Sequence, residues 1–491
     1  MAQNRPTLKR FFNNSDLTPA QARKKVQSGL SGSDYGEFFQ EIRSSEHIVK
    51  DGGLYKTVSL GNFSSGFGVR FGQEDKVGYG YTNELTKAAL EEAIRSARHV
   101  VKSGQSGSLQ VTNPSGHSFG KVQGKLYDTR NPFDDMDAQD KIAAIDEIES
   151  AAYQLDPNVK NVTIQYKSSY QDVHIITQNG ESLIDRRPSA GLVIGLLVAN
   201  KDGELEHGHS ILGGPRTCHD VLDKQNWEPV LKEAFHEAQE LHRAVDAPGG
   251  KMDLVLGPGW PAIILHEAVG HGMEGDFNRK NVSVYSGKIG QSVAAPNVTI
   301  VEEGNIPGQR GSLHFDDEGT PTQKNILVEN GVLKKYMQDR QNAHLVGVPT
   351  TGNGRRESFA HTPMPRMTNT YFANGDYDPQ EIIESVDDGL YVASISNGQV
   401  DITTGEFNMN ATLCYRIRGG KLMEPIKGAS IVGKGHEVLQ SIDMVGNDLL
   451  IEKNAGMCGK EGQSVPVACG QPTIKASDMT VGGTDLSKGP A

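Results

Sequence analysis

Past residue 155 the apolar residues of this chain change their spacing, and the change limits the fold more than any other feature. Before it, residues 84–101 set Leu85, Ala89, Ala93, Ala97 and Val100 near one stripe, and residues 138–155 do the same with Ile142, Ile145, Ile148, Ala151 and Ala152. Residues three or four apart share a helix face, so both stretches predict amphipathic helices. Beyond it, Val162-Thr-Ile-Gln-Tyr166 and Asp172-Val-His-Ile-Ile-Thr177 predict two strands joined by a short polar turn. Asn179-Gly180 is a hairpin signal leading into another strand, and residues 191–198 continue the sheet.

Other elements extend this pattern. Thr18-Pro19 fits a cap followed by proline at the first helical position, opening a short helix toward Leu30. Strands are expected at 47–49 and 64–71, and a helix at 227–245 carrying Leu231, Phe235, Ala238 and Leu241. Past residue 280 strand and turn dominate, for example at 298–302, at the Glu329-Asn330-Gly331 turn and at 389–395. With 57 glycines and no Gly-X-Y period, the chain is expected to be rich in tight turns. The expectation is an α+β protein: an N-terminal mixed helix and sheet domain, residues 1–245, then a strand-rich C-terminal domain, residues 246–491, carrying the helix of the histidine motif described below. The Ala247-Pro-Gly-Gly250 linker sets that boundary, and the polar stretch 102–109 offers a sub-boundary near residue 105.

Charge and composition remove several function classes. A net charge of -12 disfavours non-specific binding to nucleic acid, and no block of basic residues interleaves with aromatics. The longest apolar run, 191–199, is half of what a bilayer requires, and the N-terminus lacks the apolar core of a secretory signal. No membrane association is expected, and the cytoplasm is the default compartment. The four cysteines form no CxxC pair and are too few to staple a fold of 491 residues. Walker and dinucleotide spacings are absent, as is the G-x-S-x-G elbow of serine hydrolases.

The stretch that points to chemistry is His266-Glu267-Ala268-Val269-Gly270-His271. Two imidazoles and a carboxylate in six positions suggest a divalent metal that activates water for amide hydrolysis, with Glu267 as general base. The histidines are five apart, however, and at 3.6 residues per turn a regular α-helix would leave their rings roughly 140° apart. A π-bulge or early unwinding at Gly270, where backbone freedom is cheap, would bring them to one side. Catalytic zinc ordinarily takes three protein ligands and keeps one position open. The third ligand could be Cys458, Cys469, Cys218 beside His219, or an acid such as Asp276, Glu318 or Glu452. Two rival functions remain at this level: a non-catalytic regulatory or scaffold protein with a structural zinc clamp, and a metal amidase for small molecules. Elsewhere, Arg355, Arg356 and Arg366 are candidates for binding a peptide carboxylate or a tetrahedral oxyanion, against ordinary salt bridges. His361 and His314 are candidates for a supporting position near the metal.

The sequence from His266 to Asp276, His-Glu-Ala-Val-Gly-His-Gly-Met-Glu-Gly-Asp, resembles the signature of the TldD branch of the TldD/PmbA metalloprotease family. The likeness continues in order through Asp316-Asp-Glu-Gly-Thr-Pro-Thr-Gln, Leu327-Val-Glu-Asn-Gly-Val-Leu, Gly354-Arg-Arg-Glu-Ser, Met364-Pro-Arg-Met-Thr-Asn-Thr-Tyr, Gly420-Lys-Leu-Met-Glu-Pro and Met457-Cys-Gly-Lys-Glu-Gly-Gln, with a weaker match at Gly66-Phe-Gly-Val-Arg. The resemblance implies one zinc ion held by His266, His271 and Cys458, with Glu267 as catalytic base. It also implies a cytoplasmic protease that trims or degrades unfolded peptides, paired as a heterodimer with a metal-free PmbA/TldE-type paralogue. A homodimer is the alternative assembly.

Overall fold

The computed structural model describes residues 7–13, 15–102, 126–129, 131–133, 135–401, 403–452, 454 and 456–483. The expected sub-boundary near residue 105 lies outside them. The helix Pro19–Gly29 carries the full capping box of Thr18 and Gln21 and proline in its first turn.

Six antiparallel strands then build one sheet: β1 (Tyr35–Asp51), β2 (Leu54–Gln73), β3 (Lys76–Thr82), β4 (Val159–Thr177), β5 (Ser182–Ala199) and β6 (Leu205–Gly214), in the spatial order β3-β2-β1-β4-β5-β6. The turn expected between residues 166 and 172 is absent, because β4 runs straight through it. Lys167, Ser168 and Ser169 stay in the ladder, opposite His47, Glu46 and Ser45 of β1 and Gly191, Ala190 and Ser189 of β5. A polar stretch held by partners far away in sequence looks like a turn when read locally. For the same reason, the segments expected at 47–49 and 64–71 are parts of much longer strands.

Alternation decides what each face of the sheet meets. Phe38 and Ile42 of β1 enter a core with Val26 and Leu90, from the helices Pro19–Gly29 and Lys87–Lys102. The helices Ala138–Leu155 and Lys224–Arg243 cover the same face over β4 to β6, around Ile148, Ile194 and Trp227. Phe39 points the other way, packing with Val173, Ile175 and Phe315 of the second half of the chain. Helices therefore cover one face, and the strand-rich half covers part of the other.

In that half, strands Asp388–Val400, Gly250–Leu256, Ile474–Gly482, Ala429–Lys434 and Glu406–Arg418 pair each with the next, and the last pairs back with the first, so the path closes. A second sheet runs Val332–Leu333, Lys324–Glu329, Ile300–Glu303, Asn369–Phe372, Ala468–Gln471, Leu450–Ile451. Its first hairpin turns on Asn330 and Gly331 at φ 47° and 80°, the left-handed pair that tight hairpins require. Ile264, Leu265 and Val269 of the histidine segment lie in one core with Leu254, Val392 and Met409. Each such buried side chain contributes about 1.5–3 kcal/mol, which holds the segment against the strands. The fold is α+β, with mixed helix and sheet first and a strand-rich half carrying the histidine segment second. No described helix is long and apolar enough to cross a membrane.

Candidate metal centre

The histidine segment changes pitch three times. Trp260–Ala262 is 3-10 helix, Ile263–Leu265 is α, His266–Gly270 is π, and His271–Met273 returns to 3-10. The His271 N–H donates to the His266 carbonyl, so one hydrogen bond spans the five-residue step that separates the two rings. The ring centroids stand 5.0 Å apart at 81°. The reason for Gly270 differs from the one expected. Its φ of -56° and ψ of -55° are ordinary helical values. A Cβ there would lie 2.1 Å from the Met367 sulfur, so glycine is needed for close packing and not for backbone freedom.

Cys458 arrives on the short strand Met457–Lys460, which pairs with Gln463–Pro466 and sets Cys458 opposite Val465. Alternation turns Cys458 and Lys460 inward and leaves Met457 exposed. The Cys458 sulfur is 3.4 Å from His271 Nε2, and the ligand atoms of His266, His271 and Cys458 all lie within 4.8 Å of one another. Tetrahedral zinc, with bonds of about 2.0–2.1 Å to nitrogen and about 2.3 Å to sulfur, would separate such atoms by roughly 3.5 Å. The donor set therefore fits a divalent metal of intermediate softness. Burial alone would raise the Cys458 thiol, but His266 and His271 outweigh it through charge and hydrogen bonding and hold it well below the usual thiol range.

The other residues weighed as a third ligand have different partners. Cys218 accepts the Tyr166 hydroxyl at 2.6 Å in the first core, and burial pushes the Cys469 thiol far up. Glu318 pairs with Arg70, Asp276 with Lys460, and Glu452 accepts the Asn454 N–H at 2.7 Å.

Behind the cluster stands a support that sequence reasoning does not single out. His271 Nδ1 donates to Glu274 Oε2 at 3.2 Å, which leaves Nε2 facing Cys458 and free to bind a cation. Lys460 Nζ lies 2.9 Å from Glu274 Oε2 and 2.8 Å from Asp276 Oδ1, and also donates to the Pro365 carbonyl at 3.1 Å. Burial would raise the fully hidden Glu274 carboxyl, yet Lys460 and His271 bring it down to about 2. The sequence does carry the signals: Glu274 is three residues past His271, and Lys460 is two past Cys458 on one strand face.

Glu267 is half-buried, and its carboxylate has neither a hydrogen bond nor an ion pair among the described residues. A Cβ on Gly398 would lie 3.3 Å from the Glu267 Cγ, so this glycine makes room for the side chain. Burial raises the Glu267 carboxyl above its ordinary value, against the pull of His266 and His271. A raised pKa makes a carboxylate a better proton acceptor, as a general base requires.

The arginines expected to meet substrate are all buried. Arg356 pairs with Glu37 and donates to the Tyr79 hydroxyl at 3.1 Å, joining the first sheet to the second half. Arg366 donates to the Cys458 carbonyl and, at 3.3 Å, to that of Gln463, which fixes the strand carrying the thiol. Arg355 donates to the Met367 carbonyl at 2.7 Å. His361 is partly buried, its Nδ1 2.8 Å from the Ser358 hydroxyl. His314 sits away from the cluster, against Asp185 and Tyr127 at 3.0 Å each. Asp316, Asp317 and Glu318 receive backbone N–H groups of Gly354, Arg356 and Arg340, so this acidic run holds loops together.

Three successive stretches match domains described as PmbA/TldA metallopeptidase domain 1 (residues 36–101), central domain (131–241) and C-terminal domain (249–483). A metalloprotease TldD homolog of Buchnera aphidicola subsp. Acyrthosiphon pisum is 39% identical over 460 residues, covering 92% of this chain and 93% of that protein. The metalloprotease TldD homolog of Haemophilus influenzae is 40% identical over 461 residues, with coverage of 92% and 93%. The crystal structure of TldE from Thermococcus kodakarensis shares the fold at a TM-score of 0.73 and 18% identity, covering 94% of this chain and 99% of that one. With the histidine turn, the thiol and these full-length likenesses in agreement, the chain belongs to the TldD/PmbA metalloprotease family.

Proposed function

We propose that this chain is the metal-bearing subunit of a zinc peptidase that hydrolyses unfolded peptides. The observation that carries the reading is the π turn, which brings two imidazoles round to the Cys458 thiol, next to a carboxylate that is unpaired among the described residues. His266, His271 and Cys458 would hold one zinc ion per chain. When bound, zinc supplies Lewis acidity, polarising the scissile carbonyl and making a nearby water easier to deprotonate. Glu267 takes the proton from the attacking water and returns it to the leaving amine. Glu274 holds the His271 ring by its Nδ1–H throughout. An extended peptide can satisfy its backbone on a strand edge, which favours unfolded chains over compact ones.

The TldD names of the relatives and the TldE name of the structural neighbour support a paralogous partner, and a metal-free partner in a cytoplasmic heterodimer belongs to the same proposal. A division of the chain into 1–245 and 246–491 belongs to the same proposal. The test uses zinc-loaded wild type and Glu267→Gln, each with the paralogue, on an unstructured peptide. The variant is expected to keep its zinc and to lose about 10²–10⁴-fold in kcat. Unchanged hydrolysis would remove Glu267 from its role.

A further inference from the structure

Two cavities of about 250 and 500 Å3 lie between the first sheet and the metal-bearing half, and both are lined by Arg43, Lys167, Ser169, Ser189 and Arg310. Their floor is the sheet face turned away from the helices. Arg43, Gln171 and Arg187 stand side by side across β1, β4 and β5, and Ser45, Ser169 and Ser189 form the next row. One wall of the smaller cavity is the hairpin of the metal thiol, through Met457 and Val465, and another is Arg355.

The charges in this space are not balanced. Arg187 is paired with Asp317 and Asp185, and Arg356 with Glu37. Arg43, Lys167, Arg310 and Arg355 have no carboxylate in ion-pair reach among the described residues. Among the described residues, Arg310 donates to the Gly456 carbonyl and the Met457 sulfur. Arg355 is 3% exposed, and among the described residues its side chain makes one hydrogen bond, to the Met367 carbonyl, and its Nε has no partner. Burial draws its guanidinium down to about 10. Of the acids on the same walls, Asp317 is paired with Arg187 and Glu46 with Lys141, while Glu357 accepts the Ser464 N–H and has no cation in ion-pair reach among the described residues, so one free acid faces four cations. Arg43 and Lys167 are exposed and Arg310 is partly buried, so water solvates them, whereas Arg355 is hidden. A buried guanidinium without a counter-ion is costly unless a ligand supplies one.

We propose that this cleft is an anion subsite that takes a carboxylate of the extended peptide whose scissile bond lies at the metal turn. Met457 precedes the thiol residue, and Met367, whose carbonyl Arg355 holds, packs on Gly270, so the cleft adjoins the turn. Guanidinium groups match a carboxylate by paired hydrogen bonds, and the serine row can solvate the peptide beside it. The proposal rests on the peptidase reading above and names the substrate feature that reading leaves open.

Two sources could supply the carboxylate, the C-terminus of the peptide or an Asp or Glu side chain. Three fluorescent unstructured peptides of one sequence separate them: a neutral C-terminal amide, the free acid, and an amide with one internal Gln→Glu. Binding is measured on the zinc-loaded Glu267→Gln chain with its paralogue, and cleavage on the wild type. The free acid, the Glu peptide or both should bind at least about tenfold more tightly than the neutral amide, and whichever does so identifies the source. In an Arg43→Met/Arg310→Met variant, whose changes lie at positions that are not buried, the gap should narrow below about threefold. Equal binding of the three peptides, or a gap that survives in the variant, overturns the subsite. A binding gap without cleavage of any peptide would refute the hydrolytic reading and leave the subsite standing. Uniform binding with uniform cleavage would do the reverse, and failure to bind any peptide would overturn both.

Discussion

Two imidazoles in this molecule are both hidden from water, His174 at 1% exposure and His271 at 8%, yet they sit in opposite fields. His174 lies among the rings of Phe11, Phe12 and Phe38, with a hydroxyl and an amide as its hydrogen-bond partners, and burial pulls its pKa down to about 3. His271 is also disfavoured as a cation by burial, but Glu274 and Cys458 outweigh that and hold its pKa well above the imidazole value. One ring belongs to an apolar core. The other stands where positive charge is favoured, at the position a divalent ion would take. Burial alone does not mark a functional histidine; the charge gathered behind it does.

The contrast can be broken most severely at its cation. Lys460→Met would leave Asp276 buried without its counter-charge and Glu274 with His271 alone, and the metal-free protein should lose about 3–5 kcal/mol in chemical denaturation. An unchanged midpoint would show that the lysine does not balance them.

The next effect belongs to His174. Its folded pKa is lowered from 6.5 to about 3, so below pH 6.5 the unfolded chain takes up a proton that the folded chain refuses until about pH 3. Stability is therefore lost as pH falls through that window, by about 3 kcal/mol at pH ~4. His174→Gln should cost stability near neutral pH but flatten this acid slope, read from denaturation midpoints between about pH 7 and 4. A slope as steep as wild type would mean that other groups set it.

The smallest effect separates the two rings. Glu274→Gln should weaken zinc binding by about 10–100-fold, measured by competition with a chelator, because the His271 ring loses its charged anchor. His174→Gln should leave zinc affinity unchanged, and equal weakening by both variants would erase the distinction.

How far the sequence reveals these sites depends on how local they are. The helices at 138–155 and around 87–102 are legible because a 3.6-residue period needs no partner to be seen. The need for a widened turn at 266–271 follows from the five-residue spacing alone. Strand β4 is not fully legible, since its polar centre is held by β1 and β5. Cys458 is assigned through the family resemblance, since its own segment sets it only slightly ahead of the other candidates. Glu274 and Lys460 are hard to read together because their pairing joins positions far apart in the chain, on two unrelated elements. The cationic cleft is the least legible feature, for its floor is a row drawn from three strands and its wall from loops far along the chain.

The central claim is that two imidazoles and one thiolate meet on a single ion, and X-ray absorption at the zinc edge of the stoichiometrically loaded protein tests it most directly. The account predicts one sulfur at about 2.3 Å and nitrogen or oxygen neighbours at about 2.0–2.1 Å, with the sulfur shell lost in Cys458→Ser. A spectrum with no sulfur neighbour, or one in which Cys458→Ser keeps it, would contradict the account.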